Sequence, residues 1–450
     1  MSESESGVRQ VKVKFFTRDT DESLQCSSNP IYVPVSLKRF GLSEIVNHLV
    51  NTTTPIPFDF LIDGTLLKST IEEYLVANAL SSETFLNLEY TRAILPPKFL
   101  SSFNNEDWIS SIDTIGSMTV PGPQSELNLK PKILTGSYDG IVRIYNCQGI
   151  VETQLIGHSQ PIKSVKFISP TRFISAGMDR SIRLWKSGTI SDENEIDSTQ
   201  DGKTTAILEY HKDLISSLDV NLSTNRILSG SHDNSIALWS TNSKEMQTLK
   251  LEEKLNTSTA SKKRLKLSLK DSTIKRKSPL SILESHKGPV EGIIFDKLDS
   301  TVAYSASQDH CIKTWDLITS RCIDTKQTNY SLLSLTQLPN IGLIATGSSA
   351  RHINLHDPRS NKVTNNQLIG HTNFVSSLCT SDNDYMLISA SHDNTVKIWD
   401  VRANKSLYTI TRNSGVKKGK VLSVAWEKEI GIISGGDDKK LQINSSADLK

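Results

Sequence analysis

Short runs in which apolar and polar residues alternate, each broken by a tight polar turn, recur through most of this 450-residue chain. The stretch Ala390–Asp400, ASHDNTVKIWD, shows the unit. Small residues lead into an Asp-Asn turn, and apolar and polar residues then alternate up to Trp399. A period of two on either side of a tight turn predicts strand, turn, strand. Copies aligned on the turn stand at 136–146, 176–186, 230–240, 306–316, 347–357, 390–400 and 435–444. Their turn positions are Asp139, Asp179, Asp233, Asp309, Ala350, Asp393 and Asp438, in steps of 40, 54, 76, 41, 43 and 45 residues.

Three further columns keep the same register. Four residues before the turn position stands a hydroxyl in every copy: Thr135, Ser175, Ser229, Ser305, Thr346, Ser389 and Ser434. Six residues after it stands an aromatic in five: Tyr145, Trp185, Trp239, Trp315 and Trp399. Upstream by 21 to 23 residues stand His158, His211, His286 and His371. These columns and the shorter steps resemble the WD-repeat family, whose period is ~40–45 residues. The resemblance implies a seven-bladed propeller over residues 91–450. Each complete blade would hold a hydrogen-bonded relay, Asp to His to Ser to Trp. The sets are His158, Asp179, Ser175 and Trp185; His211, Asp233, Ser229 and Trp239; His286, Asp309, Ser305 and Trp315; and His371, Asp393, Ser389 and Trp399.

Each relay group is costly to bury alone and acceptable when paired. Ser, His and Asp together also suggest a hydrolase. The same set repeated blade after blade reads instead as scaffold, because an enzyme needs one site. The fifth copy departs from the pattern, with Ala350 for Asp, His356 for Trp and no upstream Gly-His. His352 and His356 invite a metal reading, but four residues on a strand span roughly 13 Å, too far to share a zinc. The last copy has Asn444 in place of Trp. In the WD-repeat family each sequence copy runs d-a-b-c, with d in the previous blade. Only six residues follow Asn444, so the strand that completes the last blade is expected within 91–104.

The first piece, residues 9–90, has a different pattern. Val11–Thr17 and Ile31–Val35 read as strands, the second an edge strand because of Pro34. A short helix follows, with Ser43 as its cap and Ile45, Val46, Leu49 and Val50 on one face. Then come a strand at Phe58–Ile62, an Asp63-Gly64 turn, a second short helix over Ser69–Asn78 and a strand at Thr84–Tyr90. This order resembles a ubiquitin-like β-grasp. The stretch does not stop at Gly-Gly but continues through Thr91, Arg92 and Ala93, which points to a docking module rather than a conjugated tag. The expected fold is thus mainly β: an N-terminal ubiquitin-like β-grasp (α+β), then a seven-bladed WD-repeat propeller.

Charge changes the picture only locally. The 51 basic and 49 acidic residues nearly cancel, so there is no global field for nucleic acid or membrane. The opening MSESESGVRQ lacks the apolar core of a secretory signal, and no apolar run approaches the roughly 20 residues of a membrane span. Five cysteines without a CxxC pair read as free thiols in a reducing compartment. Inserts lengthen the first three blades, at 114–130, 187–203 and 241–279. They are expected on one rim and, by composition, disordered. The second carries five acidic residues against one basic, the third eleven basic against four acidic. The third holds Lys262-Lys263-Arg264 and Lys275-Arg276-Lys277, readable as a nuclear import signal, a contact for RNA phosphates or a solvated loop. No aromatic interleaves the basic run, which argues against base stacking.

A β-grasp unit before a WD propeller, joined by TRAILPP and SFNNEDWISSID, resembles the ribosome-biogenesis WD-repeat protein twelve family of the PeBoW complex. That resemblance implies a non-enzymatic adaptor for the large ribosomal subunit, on the pre-60S particle in nucleolus and nucleoplasm, with no cofactor of its own and no membrane. It implies that the propeller binds the block-of-proliferation WD-repeat protein, which also holds Pescadillo. It further implies that the grasp unit docks on the adhesion domain of the Midasin AAA ATPase. The family's metal-contacting acid falls on Glu83, in the loop Ser81-Ser82-Glu83, as a ligand to Mg²⁺ held by that partner. Without the resemblance, Glu83 reads as a surface carboxylate or a helix-capping residue. The rival reading is a ubiquitin-pathway receptor whose propeller captures substrates; it would need an apolar patch on the grasp surface.

Overall fold

The structure is a computed structural model. It describes residues 9–445 except 19, 20, 27, 28, 53, 82, 84, 94, 122–125, 188–201, 250–273, 361–365, 382–384, 404 and 413–418; for 22, 118–121 and 126–128 it describes only the backbone. The chain divides into two compact units, Met1–Leu95 and Pro96–Lys450. The boundary falls a few residues later than the expected 90/91. The last strand of the first unit runs on to Arg92, and the Ala93 N–H still bonds the Pro57 carbonyl at 2.9 Å.

In the first unit, alternation decides which face is buried. Val11, Val13 and Phe15 point into the core while Lys12 and Lys14 point out. The five-stranded sheet runs in the order Ile31–Pro34, Gln10–Phe16, Leu86–Arg92, Phe58–Ile62, Thr65–Leu66. Its two middle strands, Gln10–Phe16 and Leu86–Arg92, are parallel and the remaining pairs antiparallel. Helix Arg39–Val50 lays Leu42 and Val46 on the inner face, and the short helix Ile71–Ala77 adds Ile71 and Leu75. This is a β-grasp. The role of Ser43 differs from expectation. The helix starts four residues earlier, and Lys38 at its N-cap makes no side-chain cap bond. Ser43 is buried within the helix, where its hydroxyl donates to Ile56 O (3.1 Å) and accepts from Phe58 N–H (3.1 Å). It ties down the chain entering the third strand instead of ending the helix.

Among the described residues the second unit holds seven blade sheets, six of four strands and one of five, and a separate two-stranded hairpin. Six blades use four strands in chain order. The last pairs Val421–Glu427, Gly431–Gly436 and Lys440–Ser445 with Lys98–Asn104 from the start of the unit. That pairing closes the ring and leaves each blade's outer strand as a short edge. The innermost strands of all seven blades line a central cavity of about 690 Å³. Neighbouring blades approach closely behind the hydroxyl column. A side chain on Gly136 would meet Ile162 Cγ2 at 2.8 Å, and one on Gly230 would meet Val290 Cγ1 at 2.8 Å.

Two inserts are more ordered than composition suggests. Met118–Pro121 and Glu126–Leu129 form a hairpin within the first. In the third, Arg276–Lys277 pairs in parallel with Lys203–Glu209 as a fifth strand of blade two, and Thr248 bridges to Lys277. An outer strand presents unpaired N–H and C=O groups, and this segment satisfies some of them, as where the Ile207 N–H donates to Lys275 O at 3.1 Å. The acidic run 188–201 and the basic run 250–273 lie outside the described residues.

Candidate functional site

The four complete relays close as hydrogen-bonded chains. His158 Nδ1 lies 2.8 Å from Asp179 Oδ2 and its Nε2 2.7 Å from Ser175 Oγ, which also accepts from Trp185 Nε1 at 2.7 Å. His211, Asp233, Ser229 and Trp239 repeat this at 3.0, 2.8 and 2.9 Å. His286, Asp309, Ser305 and Trp315 do so at 2.8, 2.7 and 2.8 Å, and His371, Asp393, Ser389 and Trp399 at 2.8, 2.6 and 2.7 Å. The hydroxyls and indoles are fully buried. Burial alone would raise the Asp179 pKa, but the His158 hydrogen bond and charge and the bonds from Ser181 outweigh it and hold the group at about 2. Asp233, Asp309 and Asp393 are lowered in the same way, against burial. Burial pushes His286 below its ordinary value despite Asp309.

The turn Asp has a second task. Its other oxygen accepts the N–H two residues on, as in Asp139 to Ile141 (2.9 Å) and Asp393 to Thr395 (3.0 Å). This Asx turn carries the residue between them into the left-handed region, φ 79° at Gly140 and 67° at Asn394.

The incomplete blades are rebuilt with other residues. In blade five, His356 takes the Trp place and lies 2.9 Å from Thr346 Oγ1 through Nε2. In blade seven the His place is filled by Arg412. Its Nε and Nη2 grip Asp438 at 3.0 and 2.9 Å, and its Nη1 donates to Ser434 Oγ at 3.1 Å. Sequence reasoning passed over Arg412, which lies 26 residues before Asp438. The only signal was a basic residue upstream of an intact Asp and Ser.

The loop expected to dock a partner lies between helix Ile71–Ala77 and strand Leu86–Arg92. The helix stops because Ala79 turns left-handed, φ 52°, and the Leu80 N–H returns to Leu75 O at 2.8 Å. With the Ala79 N–H also donating to Val76 O at 3.2 Å, this is a Schellman helix ending. Ser81 and Glu83 are exposed, and Ser82 lies outside the described residues. Glu83 makes no hydrogen bond or ion pair with another described residue. Among the described residues no cluster of His, Cys, Asp or Glu could hold a metal by itself.

Of the import candidates, Lys262, Lys263 and Arg264 lie outside the described residues. Lys275 is exposed. Arg276 pairs with Glu209 at 2.7 Å, and Lys277 is buried, its Nζ donating to Met246 O (2.9 Å) and Thr248 Oγ1 (2.8 Å). Strand pairing thus removes two of the six cations from the extended, accessible peptide that an import signal requires.

Residues 11–75 match the family described as NLE (NUC135) domain, and 149–186, 202–240, 277–316 and 362–400 match WD domain, G-beta repeat. Ribosome biogenesis protein YTM1 of Candida albicans is 58% identical, with 100% of both chains covered. Its namesakes in Scheffersomyces stipitis and Kluyveromyces lactis are 59% and 58% identical, each over 98% of both chains. This chain belongs to the YTM1 family. The four WD matches coincide with the four blades whose relays are complete. The other three blades of this YTM1-family propeller were found only through register and strand pairing. The NLE match ends before the Glu83 loop.

Proposed function

We propose that this YTM1-family protein, with the role in ribosome biogenesis that its relatives' name carries, is a non-enzymatic adaptor without a cofactor of its own. The propeller holds the block-of-proliferation WD-repeat protein, and Pescadillo through it, on the pre-60S particle in nucleolus and nucleoplasm. The grasp unit offers Glu83 to the Mg²⁺ of the Midasin adhesion domain. The observation that carries this reading is a lone exposed carboxylate on the short loop of a separately folded unit. Mg²⁺ demands oxygen donors in near-octahedral order and takes few protein carboxylates, so one Glu from outside suffices to displace a water. Import would run through Lys262, Lys263 and Arg264, with Lys275 as the remaining accessible cation.

The outer face of the grasp sheet carries Lys12, Lys14, Asn87 and Thr91, with only Tyr32 exposed opposite Lys12 and a half-buried Phe16 in register with Glu89. Such a mixed surface speaks against the apolar patch of a ubiquitin-pathway receptor. The test is a pull-down of the isolated adhesion domain in Mg²⁺ with the full chain. Glu83→Ala should abolish capture, and Glu83→Asp should weaken it because the shorter side chain misplaces the oxygen. Both should melt at the wild-type temperature. Unchanged capture by Glu83→Ala overturns the proposal.

A further inference from the structure

The segment that covers the outer edge of blade two is charged where the fold has no use for charge. Arg276 and Lys277 pair in register with Ile207 and Leu208 over two residues, whereas the other strand pairs of that blade run over five or six. Around them the Ile207 N–H donates to Lys275 O at 3.1 Å, the Leu249 N–H to Arg276 O at 3.0 Å and the Ser278 N–H to Gln247 O at 3.1 Å. These are backbone bonds, open to almost any residue type. The side chains add little. Lys277 is 6% exposed, and its ammonium meets a carbonyl (Met246, 2.9 Å) and a hydroxyl (Thr248, 2.8 Å) but no carboxylate among the described residues. Arg276 pairs with Glu209 at 2.7 Å through Nη1, yet its Nε is buried without a partner among the described residues. A buried cation without a full set of partners costs stability that an apolar side chain of similar size would not. Covering an edge strand therefore explains the backbone of 275–277 but not its three consecutive cations.

We propose that the docked strand is an autoinhibitory contact. It withholds Lys275, Arg276 and Lys277 from an import receptor, which reads them once the segment has left blade two. The proposal rests on the reading of this insert as an import signal. A signal rich in Lys and Arg is read along an accessible, extended chain. Here the backbone of 275–278 is committed to neighbours on two sides, and two of the three cations are covered. RNA phosphates make no such demand, because the exposed Lys275 meets them in the docked form. Docked and receptor-bound forms are thus mutually exclusive, and the receptor's apparent affinity is reduced by the fraction of chains that are released. The poorly compensated cations raise that fraction, so the segment leaves while the four strands beneath it stay paired.

Docking can be changed without touching the three cations. Glu209→Ala removes the partner of Arg276. Gln247→Cys with Ser278→Cys puts a disulfide across two residues already joined by a backbone bond, where paired strands bring Cα atoms within the ~4.4–6.8 Å that a disulfide spans. The full chain is titrated with purified importin-α as the probe. The oxidised lock should bind about tenfold more weakly than wild type or worse, and should regain wild-type affinity on reduction with an unchanged circular dichroism spectrum. Glu209→Ala should bind roughly two- to fivefold more tightly, and its Ile207 N–H should exchange faster with solvent while the rest of blade two stays protected. Equal affinity of the oxidised and reduced lock overturns the proposal and leaves the import reading standing, the strand then being an edge cover only. Glu209→Ala with the affinity of wild type overturns it as well. Absence of binding by every form overturns the import reading and the proposal together. A lock that leaves importin-α binding intact but weakens the binding of labelled single-stranded RNA overturns it in favour of RNA.

Discussion

The closing blade offers the sharpest test of how the propeller is held together. Arg412→Leu removes a guanidinium that makes two bonds to Asp438, one to Ser434 and one to the Lys440 carbonyl, with side chains only 1% and 8% exposed for the Arg412–Asp438 pair. Asp438 would keep only its turn bond from Lys440 N–H, at 3.2 Å. Breaking a buried pair from one side leaves a charge without compensation and costs about 3–5 kcal/mol. The site sharpens the consequence, because this blade joins Lys440–Ser445 to Lys98–Asn104 and so closes the ring. Arg412→Leu should lower the urea midpoint followed by tryptophan fluorescence and speed proteolytic cleavage near residues 96–104. Adding Asp438→Asn removes the stranded charge while an oxygen still accepts from Lys440. The double variant should recover all but about 1–2 kcal/mol. Arg412→His, which installs the residue used in four other blades, should fall between wild type and Leu. A cost below about 1 kcal/mol for Arg412→Leu would refute the reasoning, as would a double variant no better than the single.

Ser389→Ala orphans both His371 Nε2 and Trp399 Nε1 in a fully buried site. It should cost about 2–4 kcal/mol, whereas Thr346→Ala, which releases only the His356 bond, should cost about half as much; equal losses in urea unfolding would count against the relay as a cooperative unit. Stability should also depend on pH in two stages. The lowered His286 favours a neutral folded state, so its share is present above about pH 6.5 and is lost as pH falls below that. The lowered Asp179, at about 2, contributes roughly 2 kcal/mol above pH 4, lost as pH falls from there toward 2. Thermal midpoints by circular dichroism should therefore decline gently below pH 6.5 and steeply below pH 4. A flat profile between pH 5 and 3 would contradict the relay geometry.

Local order along the chain already determined much of this protein. The turn Asp, the hydroxyl before it and the Trp after it sit on adjacent strands of one hairpin, so fixed offsets in sequence become fixed contacts in space. Ring closure was legible for a related reason: in the WD-repeat pattern each copy's d strand belongs to the previous blade, so the strand ahead of the first copy falls to the last blade, where Lys98–Asn104 pairs with Lys440–Ser445. Tertiary structure alone decided the rest. Arg412 could fill the histidine's place because a buried Asp and Ser require only donors that reach them, and reach is set by the fold rather than by residue type. Likewise, Lys277 was one of many lysines until the edge of blade two, some 70 residues upstream by order of chain, took its backbone into a sheet and buried its ammonium. The row formed by Arg172, Lys186 and Lys203 exists only in the register of three strands. Like charges far apart in a sequence do not repel, but in a sheet they stand one strand spacing from each other.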